Sequence, residues 1–408
     1  MKPLLESTII PRQRRPDGSR RALAIAVFAA AIAGKPCAAS AQGGDARRAG
    51  DTWTWSFEAT IFAGENVQRG HALSTPVVFE SQNWVSLEAA RPIRSATLSL
   101  FAILSAETLT MHEFGSPQPF QISGPFLSAP IGNYESPRDL FSGLGASMAT
   151  QFDSIRVRAE AALVGSPALG PPGYQQRQSA SLNPQVPLAH GMIDATDASS
   201  SVVSIGFGVR RVTIEGSVFR GRELDDRRWD LEAGKPDSWA LRGSYRQGAW
   251  TVQVSTGRLH RPHDWELFDA TRTTASVGVD TPGGRLSFLA AWGQNRDRFG
   301  ALDGYLVDAA IHLSPRDHVY LRGDRVRNDF SDGGYHSLNP TEVALLQTAA
   351  EFTVGYVRDI GRGFGIGADV NVYILALATE GHDTTRGYHV FLRLHARRGV
   401  TSTKSADD

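Results

Sequence analysis

Apolar and polar residues alternate one by one along most of the chain beyond about residue 50. Near the C terminus, Tyr388, Val390 and Leu392 are apolar, whereas the intervening positions include His389 and Arg393. Successive side chains of a strand point to opposite faces, so this period of two predicts strands with one apolar and one polar face.

The alternating segments predict an all-β fold of about sixteen strands, within a range of about 14 to 18. The connections between them alternate between tight turns, such as Gln247-Gly248, and long loops. The apolar faces lack charge over lengths of about ten residues, which is the length that a tilted membrane strand needs. The predicted strands lie at about 52–62, 83–92, 95–106, 144–153, 155–164, 202–210, 212–221, 237–246, 249–259, 272–280, 285–294, 303–313, 317–327, 346–358, 363–376 and 386–397.

These patterns predict a single transmembrane antiparallel up-and-down β-barrel over 52–397, with short periplasmic turns and long extracellular loops. A soluble β-sandwich is the alternative. Aromatic residues such as Trp239 and Trp250 lie near the ends of the apolar faces, where they suit lipid headgroups and favour the barrel. Because a sheet in lipid must close on itself, the first strand should pair with the last and bring Glu58 close to Arg393.

The N-terminal residues have the organisation of an export signal. A basic region that ends at Arg21 precedes an apolar run from Ala22 to Ala33, and Ala39-Ser40-Ala41 resembles a cleavage site. The expected location is therefore the outer membrane of a Gram-negative bacterium. The predicted segments outside the barrel are a signal peptide at 1–41, a short periplasmic segment at 42–51 and a polar tail at 398–408.

Composition narrows the range of partners. The chain has 42 Lys and Arg and 42 Asp and Glu, so its formal net charge at pH 7 is zero, and we expect no nucleic-acid partner. The single cysteine, Cys37, lies in the predicted signal peptide. The exported chain should therefore contain no disulfide and no thiolate metal site.

The polar faces of the predicted strands carry charges of both signs. Sixteen strands leave room for water inside a barrel, whereas eight would be filled by side chains. An aqueous pore with weak ion preference is one interpretation. The other is that the charged residues form ion pairs that stabilise the wall, while a loop plugs the lumen. The predicted lining residues are Glu58, Arg156, Arg158, Glu160, Glu215, Arg242, Arg246, Asp308, Arg322, Asp324, Glu351, Asp369 and Arg393.

Two predicted loops, 107–143 and 165–201, are long enough to fold into the barrel and to narrow or plug it. The alternative for both loops is that they stay solvated and exposed outside the cell. The candidate constriction residues in the second loop are Arg177, His190, Asp194 and Asp197.

We do not expect an enzyme. Outer-membrane hydrolases would pair Ser, Asp or Glu with His at the outer rim, and the densest such group runs from His260 through His263 to Asp264. Two histidines three residues apart without an evident fourth ligand also make a weak metal site. A solvated polar loop explains these residues, so the sequence predicts no catalytic residue, no bound metal and no cofactor.

Five segments of the chain carry a resemblance to known proteins: Gly170–Ala180, Asn183-Pro184, Pro187–His190, Val212–Glu223 and Tyr388–Arg393. Together they resemble an uncharacterised family of proteobacterial outer-membrane, porin-like β-barrel proteins. The family's version of the loop is richer in histidine, with a pair followed by an aromatic residue, where this chain has His190-Gly191-Met192. The resemblance covers about 50–397 and implies a barrel in the outer membrane, without a substrate or catalytic residues.

The sequence therefore favours a porin-like channel for passive diffusion of small polar solutes or ions. A closed barrel that acts as an adhesin, a receptor or a structural protein is the alternative, and an outer-membrane hydrolase is a weaker one. The expected partners are outer-membrane lipid and lipopolysaccharide, the barrel assembly machinery and small polar solutes. Association into homo-oligomers stays open.

Overall fold

A computed structural model of the chain describes residues 52–69, 77–112, 114–126, 129–194, 199–262, 268–298, 300–328, 347–376 and 382–401. The predicted signal peptide, the segment at 42–51 and residues 402–408 lie outside the described residues. Besides strands, the described residues form two α-helical turns, α1 (Glu107–Thr110) and α2 (His190–Ile193), and two 3₁₀ turns, Tyr174–Gln176 and Gln178–Ala180. The strands are β1 (Thr54–Gln68), β2 (Val77–Glu80), β3 (Asn83–Ile93), β4 (Ala96–Leu104), β5 (Ser116–Phe126), β6 (Ala129–Glu135), β7 (Phe141–Phe152), β8 (Ile155–Gly165), β9 (Ser199–Val209), β10 (Val212–Glu223), β11 (Ser238–Gln247), β12 (Trp250–Leu259), β13 (Ala270–Asp280), β14 (Leu286–Arg296), β15 (Ala301–His312), β16 (Asp317–Asn328), β17 (Gln347–Gly361), β18 (Phe364–Ala376) and β19 (His382–Thr401).

Sixteen of these strands form one closed antiparallel barrel. β1 pairs with β3 on one side and with β19 on the other, and the other neighbours in the ring, β3, β4 and β7 to β19, follow chain order. β2 pairs with β1 beyond the end of β3, and β5 and β6 form a separate hairpin. Closure pairs both edges of the sheet, which a sheet in lipid requires because hydrocarbon offers no partner for backbone polar groups.

The predicted sixteen-stranded barrel is confirmed, since each predicted strand has a counterpart in the ring. The predicted approach of Glu58 to Arg393 is wrong, because the register aligns Glu58 with Arg397 and Phe62 with Arg393. Both closing strands are longer than predicted. β19 continues to Thr401, into the predicted polar tail, and full pairing of the longer strands sets the different register.

The outer surface of the barrel is apolar. In β18, exposed Phe364, Ile366 and Val370 alternate with buried inward residues, as the period of two predicts. Aromatic side chains, among them Trp239 and Trp250, are exposed near strand ends, which suits a lipid interface. Other exposed members of this apolar belt are Leu100, Met148, Val203, Ile205, Phe207, Ile214, Leu241, Val252, Val254, Val307, Leu321, Phe352, Val354, Val390 and Leu392.

Short turns join consecutive strands at one end of the barrel, which we call the short-turn end. Arg210, in the turn between β9 and β10, has a φ of 52°, and Arg362, between β17 and β18, has a φ of 56°. Positive φ values are what the tight turns of antiparallel hairpins require. The opposite end, the long-loop end, carries the long connections. Among the described residues, no helix is long and apolar enough to cross a membrane.

Candidate functional site

The loop between β8 and β9 folds into the barrel, and we call its described part, residues 166–194, the inner loop. Its hydrogen bonds reach inward residues on eight strands, β10 to β16 and β18. The donors and acceptors are Ala168 N–H to Ser217 Oγ (2.7 Å), Gly170 N–H to Ser255 Oγ (2.7 Å), Arg242 to Gly170 O (3.1 Å), Arg272 to Asp194 O (3.3 Å), Asn295 to Gly191 O (3.2 Å), Arg177 to Asp308 (3.2 Å), Ala189 N–H to Asp324 (3.3 Å), Arg322 to Gln185 O and Gln185 to the Tyr373 hydroxyl.

The inner loop is packed against the wall rather than solvated. Leu169, Leu182 and Ile193 are fully buried, and Leu182 shares an apolar cluster with Tyr320 and Phe391 of the wall. Burial of several large apolar side chains stabilises this position, at about 1.5–3 kcal/mol for each fully buried side chain. The loop is therefore a fixed part of the interior.

A glycine lets the inner loop approach the wall at α2. A Cβ atom on Gly293 of β14 would lie 2.0 Å from the carbonyl oxygen of Met192. Only a residue without a side chain fits at this distance. Two residues along β14, Asn295 donates to the carbonyl oxygen of Gly191 at 3.2 Å.

Arg177 is the charged centre of the inner loop. It pairs with Asp194 in the same loop and with Asp308 of β15 at 3.2 Å, and its side chain is 4% exposed. Arg322 of β16 pairs with the same Asp308 at 2.8 Å, while Asp194 also accepts the backbone N–H of Tyr174 at 3.1 Å. The geometry is favourable for a buried pair, because each carboxylate has more than one donor.

Four more predicted lining residues, on β16 to β19, are buried. Their neighbours are polar groups of the loops and of strands up to two places away in the ring, so they contribute to a packed interior. Asp324 accepts from Ala189 N–H (3.3 Å), Glu351 accepts from Gln118 (3.2 Å), Asp369 contacts His389 (2.7 Å) and the Tyr320 hydroxyl (2.6 Å), and Arg393 donates to Asp359 (3.0 Å).

The loop between β4 and β7 covers the inner loop at the long-loop end. Gln118 of its β5–β6 hairpin is fully buried and donates to the carbonyl oxygen of Val186 at 2.8 Å and to Glu351 at 3.2 Å. Gln121 lies 3.4 Å from Nδ1 of His190, the partly buried constriction candidate. The two loops therefore fill this part of the lumen together.

Two buried carboxylates hold the outer loops. Glu107 pairs with Arg138, whose guanidinium lies 4.7 Å from the centre of the Tyr174 ring, and burial raises the pKa of Glu107 despite that positive charge. Asp139 pairs with Arg228 of the next outer loop at 3.0 Å. Burial raises the pKa of Asp139 to about 6, against the opposing effect of Arg228.

The other side of the lumen is left open. A cavity of about 500 Å³ lies beside β1, β3, β4 and β7 to β11, and Glu58, Arg158 and Glu160 are among its lining residues. Arg158 and Glu160 form an ion pair at 2.7 Å, and Glu58 lies 4.0 Å from Arg397. The lining of this cavity therefore carries charges of both signs.

A second cavity of about 620 Å³ lies between inner-loop residues 170–179 and β8 to β14, toward the short-turn end. Its lining includes the predicted residues Arg156 and Arg246. Glu215 and Arg242, paired at 2.9 Å, line both cavities. Seven of the predicted lining residues thus face open space, and six are buried beneath the loops.

Solved barrels share this architecture. OmpTdeltaL8, a loop-deletion mutant of OmpT, an outer membrane protein of Vibrio cholerae, has a TM-score of 0.50 at 9% identity, over 85% of this chain and 100% of that one. An anion-selective porin from Comamonas acidovorans has a TM-score of 0.48 at 10% identity over 84% and 100%. The outer membrane channel DcaP of Acinetobacter baumannii has a TM-score of 0.48 at 8% identity over 87% and 100%.

The chain has the fold of an outer-membrane barrel. At these identities the likeness shows the fold alone. No family model and no curated protein matches the sequence.

The apolar part of the lumen was not predicted from the sequence. Phe62, Tyr320 and Phe391 face inward and are at most 4% exposed, and they form the surface on which the inner loop packs. One signal was present in the sequence: Phe391 interrupts a set of inward residues that includes His389 and Arg393. A large aromatic residue at such a position indicates an apolar partner inside the barrel.

The structure describes only part of the group from His260 to Asp264, which the sequence predicts to be a solvated polar loop rather than a catalytic or metal site, because residues 263–267 lie outside the described residues. His260 lies 2.8 Å from Asp269, which Arg258 also contacts at 2.7 Å. Burial alone would raise the pKa of Asp269, but hydrogen bonds from Arg258 and His260 outweigh it and lower that pKa. His263 and the constriction candidate Asp197 lie outside the described residues. Within the described ranges, no three His, Cys, Asp or Glu residues are grouped as metal ligands.

Proposed function

We propose that the barrel is a porin-like channel of the outer membrane, through which small polar solutes or ions diffuse along the side that the inner loop leaves open. The observation that carries this proposal is the pair of cavities lined by Glu58, Arg158, Arg246 and other charged residues, inside a wall whose outer face is apolar. Charged side chains that border open space suit hydrated solutes.

A closed barrel acting as a receptor, an adhesin or a structural protein is the second candidate. The inner loop favours it, because that loop bonds to eight strands and buries apolar side chains such as Leu182 and Ile193. In this proposal the loop is a permanent plug, and the outer loops bind ligands.

Planar-bilayer recordings of the refolded chain separate the two candidates. We expect small discrete conductance steps, and larger steps when residues 171–190 are replaced by a Gly-Ser linker of the same length, because the linker cannot pack against the wall. The control replaces residues 229–236 of the outer loop between β10 and β11 in the same way, which keeps the pair of Arg228 with Asp139, and should leave the steps unchanged. If the original chain gives no conductance steps and the linker variant does, the inner loop is a plug and the closed-barrel candidate is supported.

We also propose that the barrel has no catalytic activity. Support comes from His260, whose side chain is 49% exposed and engaged with Asp269, as in a solvated surface network. The test is turnover of phospholipid and peptide substrates by the original chain and by His260→Ala. Turnover that the substitution abolishes would establish an enzyme.

The same proposal includes a location and partners. An apolar belt and a closed ring support insertion into outer-membrane lipid with lipopolysaccharide, and a barrel of this kind would need the barrel assembly machinery. Cell fractionation of a tagged chain, with and without residues 1–41, tests both the location and the export signal. Recovery of the intact chain in the soluble periplasmic fraction would contradict the proposal.

A further inference from the structure

The second cavity has an excess of positive charge, and we call it the arginine vestibule. Its lining contains six arginines but only two carboxylates, Glu215 and Asp280. The cavity lies at the short-turn end, below inner-loop residues 170–179. The six arginines are Arg156, Arg177, Arg210, Arg211, Arg242 and Arg246.

Most of this charge is not neutralised. Arg242 is paired with Glu215, and Arg177 is paired beneath the loop with Asp194 and Asp308. The other four arginines, all exposed, form no ion pair within the described part of the chain, and Asp280 is the one remaining carboxylate of the lining. The four are Arg156, Arg210, Arg211 and Arg246.

Contacts with the wall position two of these side chains, Arg156 and Arg246, along the cavity. Arg156 of β8 extends across Gly208 of β9, where a Cβ atom would lie 3.0 Å from its Nε. Arg156 also donates to the carbonyl oxygen of Arg210 at 3.0 Å, and Arg246 donates to Thr251 Oγ1 at 3.3 Å. Each guanidinium keeps further N–H donors for a ligand, because it carries five.

The neighbouring cavity shows that positive charge is not a general property of this lumen. Its lining contains the arginines Arg158, Arg242 and Arg397 and four carboxylates. Those carboxylates are Glu58, Glu88, Glu160 and Glu215. Of the two cavities, the arginine vestibule is therefore the one with an excess of arginine.

We propose that the arginine vestibule binds small oxyanions and makes the channel prefer anions, an inference that rests on the proposed pore. Guanidinium groups bind carboxylate and phosphate in bidentate geometry. A cleft lined by one sign of charge raises the local concentration of counter-ions by about tenfold or more at low salt. The arginine vestibule lies at the short-turn end, the predicted periplasmic end of the barrel. Selection for anions would therefore occur at the periplasmic opening of the channel.

The test compares the original chain with the triple variant Arg156→Gln, Arg211→Gln, Arg246→Gln in planar bilayers under a KCl gradient. At KCl concentrations of about 0.1 M, we expect the reversal potential of the original chain to show a preference for chloride. At about 1 M the reversal potential should approach zero, because the Debye length falls from about 10 to about 3 Å and salt screens the arginines. The triple variant should lose the preference. Arg316→Gln, an exposed arginine of another short turn, is the control and should retain it.

Isothermal titration of the detergent-solubilised chain with inorganic pyrophosphate separates failure of this inference from failure of the pore. If the original chain binds pyrophosphate, the triple variant does not, and neither conducts ions, the oxyanion site is supported and the channel is contradicted. Conductance without chloride preference and without pyrophosphate binding overturns the inference and leaves the channel standing. A triple variant that matches the original chain in both measurements also overturns the inference.

Discussion

At the scale of single residues, Arg177 shows how much a buried charge in the loop contributes. Arg177→Ala would remove the guanidinium that pairs with the buried carboxylate of Asp194 and one donor from Asp308. We expect a loss of about 3–5 kcal/mol in the free energy of unfolding, measured by urea titration in detergent. Arg158→Ala removes an arginine that is 58% exposed in its pair with Glu160 and should cost about 1 kcal/mol or less. Equal losses would contradict the buried role of Arg177.

Asp139 makes the docking of the outer loops depend on pH. Its folded pKa is about 6 because of burial, whereas an unfolded aspartate has a pKa of about 3.9. Between these values the folded state binds a proton that the unfolded state does not. Docking should therefore weaken as pH rises from about 4 to about 6 and stay constant above.

Hydrogen exchange of residues 136–141, corrected for the intrinsic effect of pH, measures this change. Asp139→Asn removes the titration of Asp139 but keeps that of Glu107 beside Arg138, so its change in protection between pH 4.5 and pH 7 should be smaller than in the original chain. Protection that increases with pH in the original chain would show that the Arg228 pair, rather than burial, determines the pKa.

At the scale of secondary-structure elements, β14 and α2 fit together only because Gly293 has no side chain. Gly293→Ala should push α2 away from the wall, since the added Cβ would overlap the Met192 carbonyl group. We expect faster hydrogen exchange over residues 186–194 and a larger single-channel conductance. Gly278→Ala on β13, where the nearest atom is 3.7 Å away, is the matched control. Unchanged exchange in Gly293→Ala would mean that the loop is held elsewhere.

The strands of the ring could be predicted from the sequence because their signals are local. Alternation over about ten residues and a tight turn are visible without knowledge of the partner strand. β5 was not predicted, because Pro117, Pro119 and Pro125 remove backbone donors and are unusual in strands. β2 is four residues long and is fixed by its pairing with β1, which no local pattern reveals.

At the scale of the whole molecule, the apolar belt should determine insertion. Val254, in the middle of β12, is 56% exposed on the outer face. Val254→Arg should destabilise the barrel in lipid vesicles by about 2–4 kcal/mol if this position lies near the bilayer midplane. Ser244→Arg places the same charge on the lumen side of β11 and should cost much less. A larger loss of stability for Ser244→Arg than for Val254→Arg would mean that the lipid-facing and lumen-facing sides of the strands are assigned the wrong way round.

The charged faces could be predicted from the sequence, but which half of the lumen stays open could not. Asp308 and Arg242 both occupy polar alternate positions, yet Asp308 is buried by Arg177 whereas Arg242 faces a cavity. The difference depends on where the inner loop packs. That position follows from contacts between residues more than a hundred positions apart, such as Gln185 with Tyr373.

Closure of the ring has a consequence for biogenesis. Thr60 and His395 lie 3.2 Å apart, although 335 positions separate them in the chain. Until β19 has been exported, the edge of β1 has no partner, and each unsatisfied group there costs several kcal/mol in hydrocarbon. A chain truncated before residue 382 would lack β19. Its sheet would then have two unpaired strand edges, rather than closing as a barrel with fewer strands. Premature termination upstream of β19 should therefore abolish barrel assembly, because the edges of β1 and β18 that β19 covers would both stay unpaired.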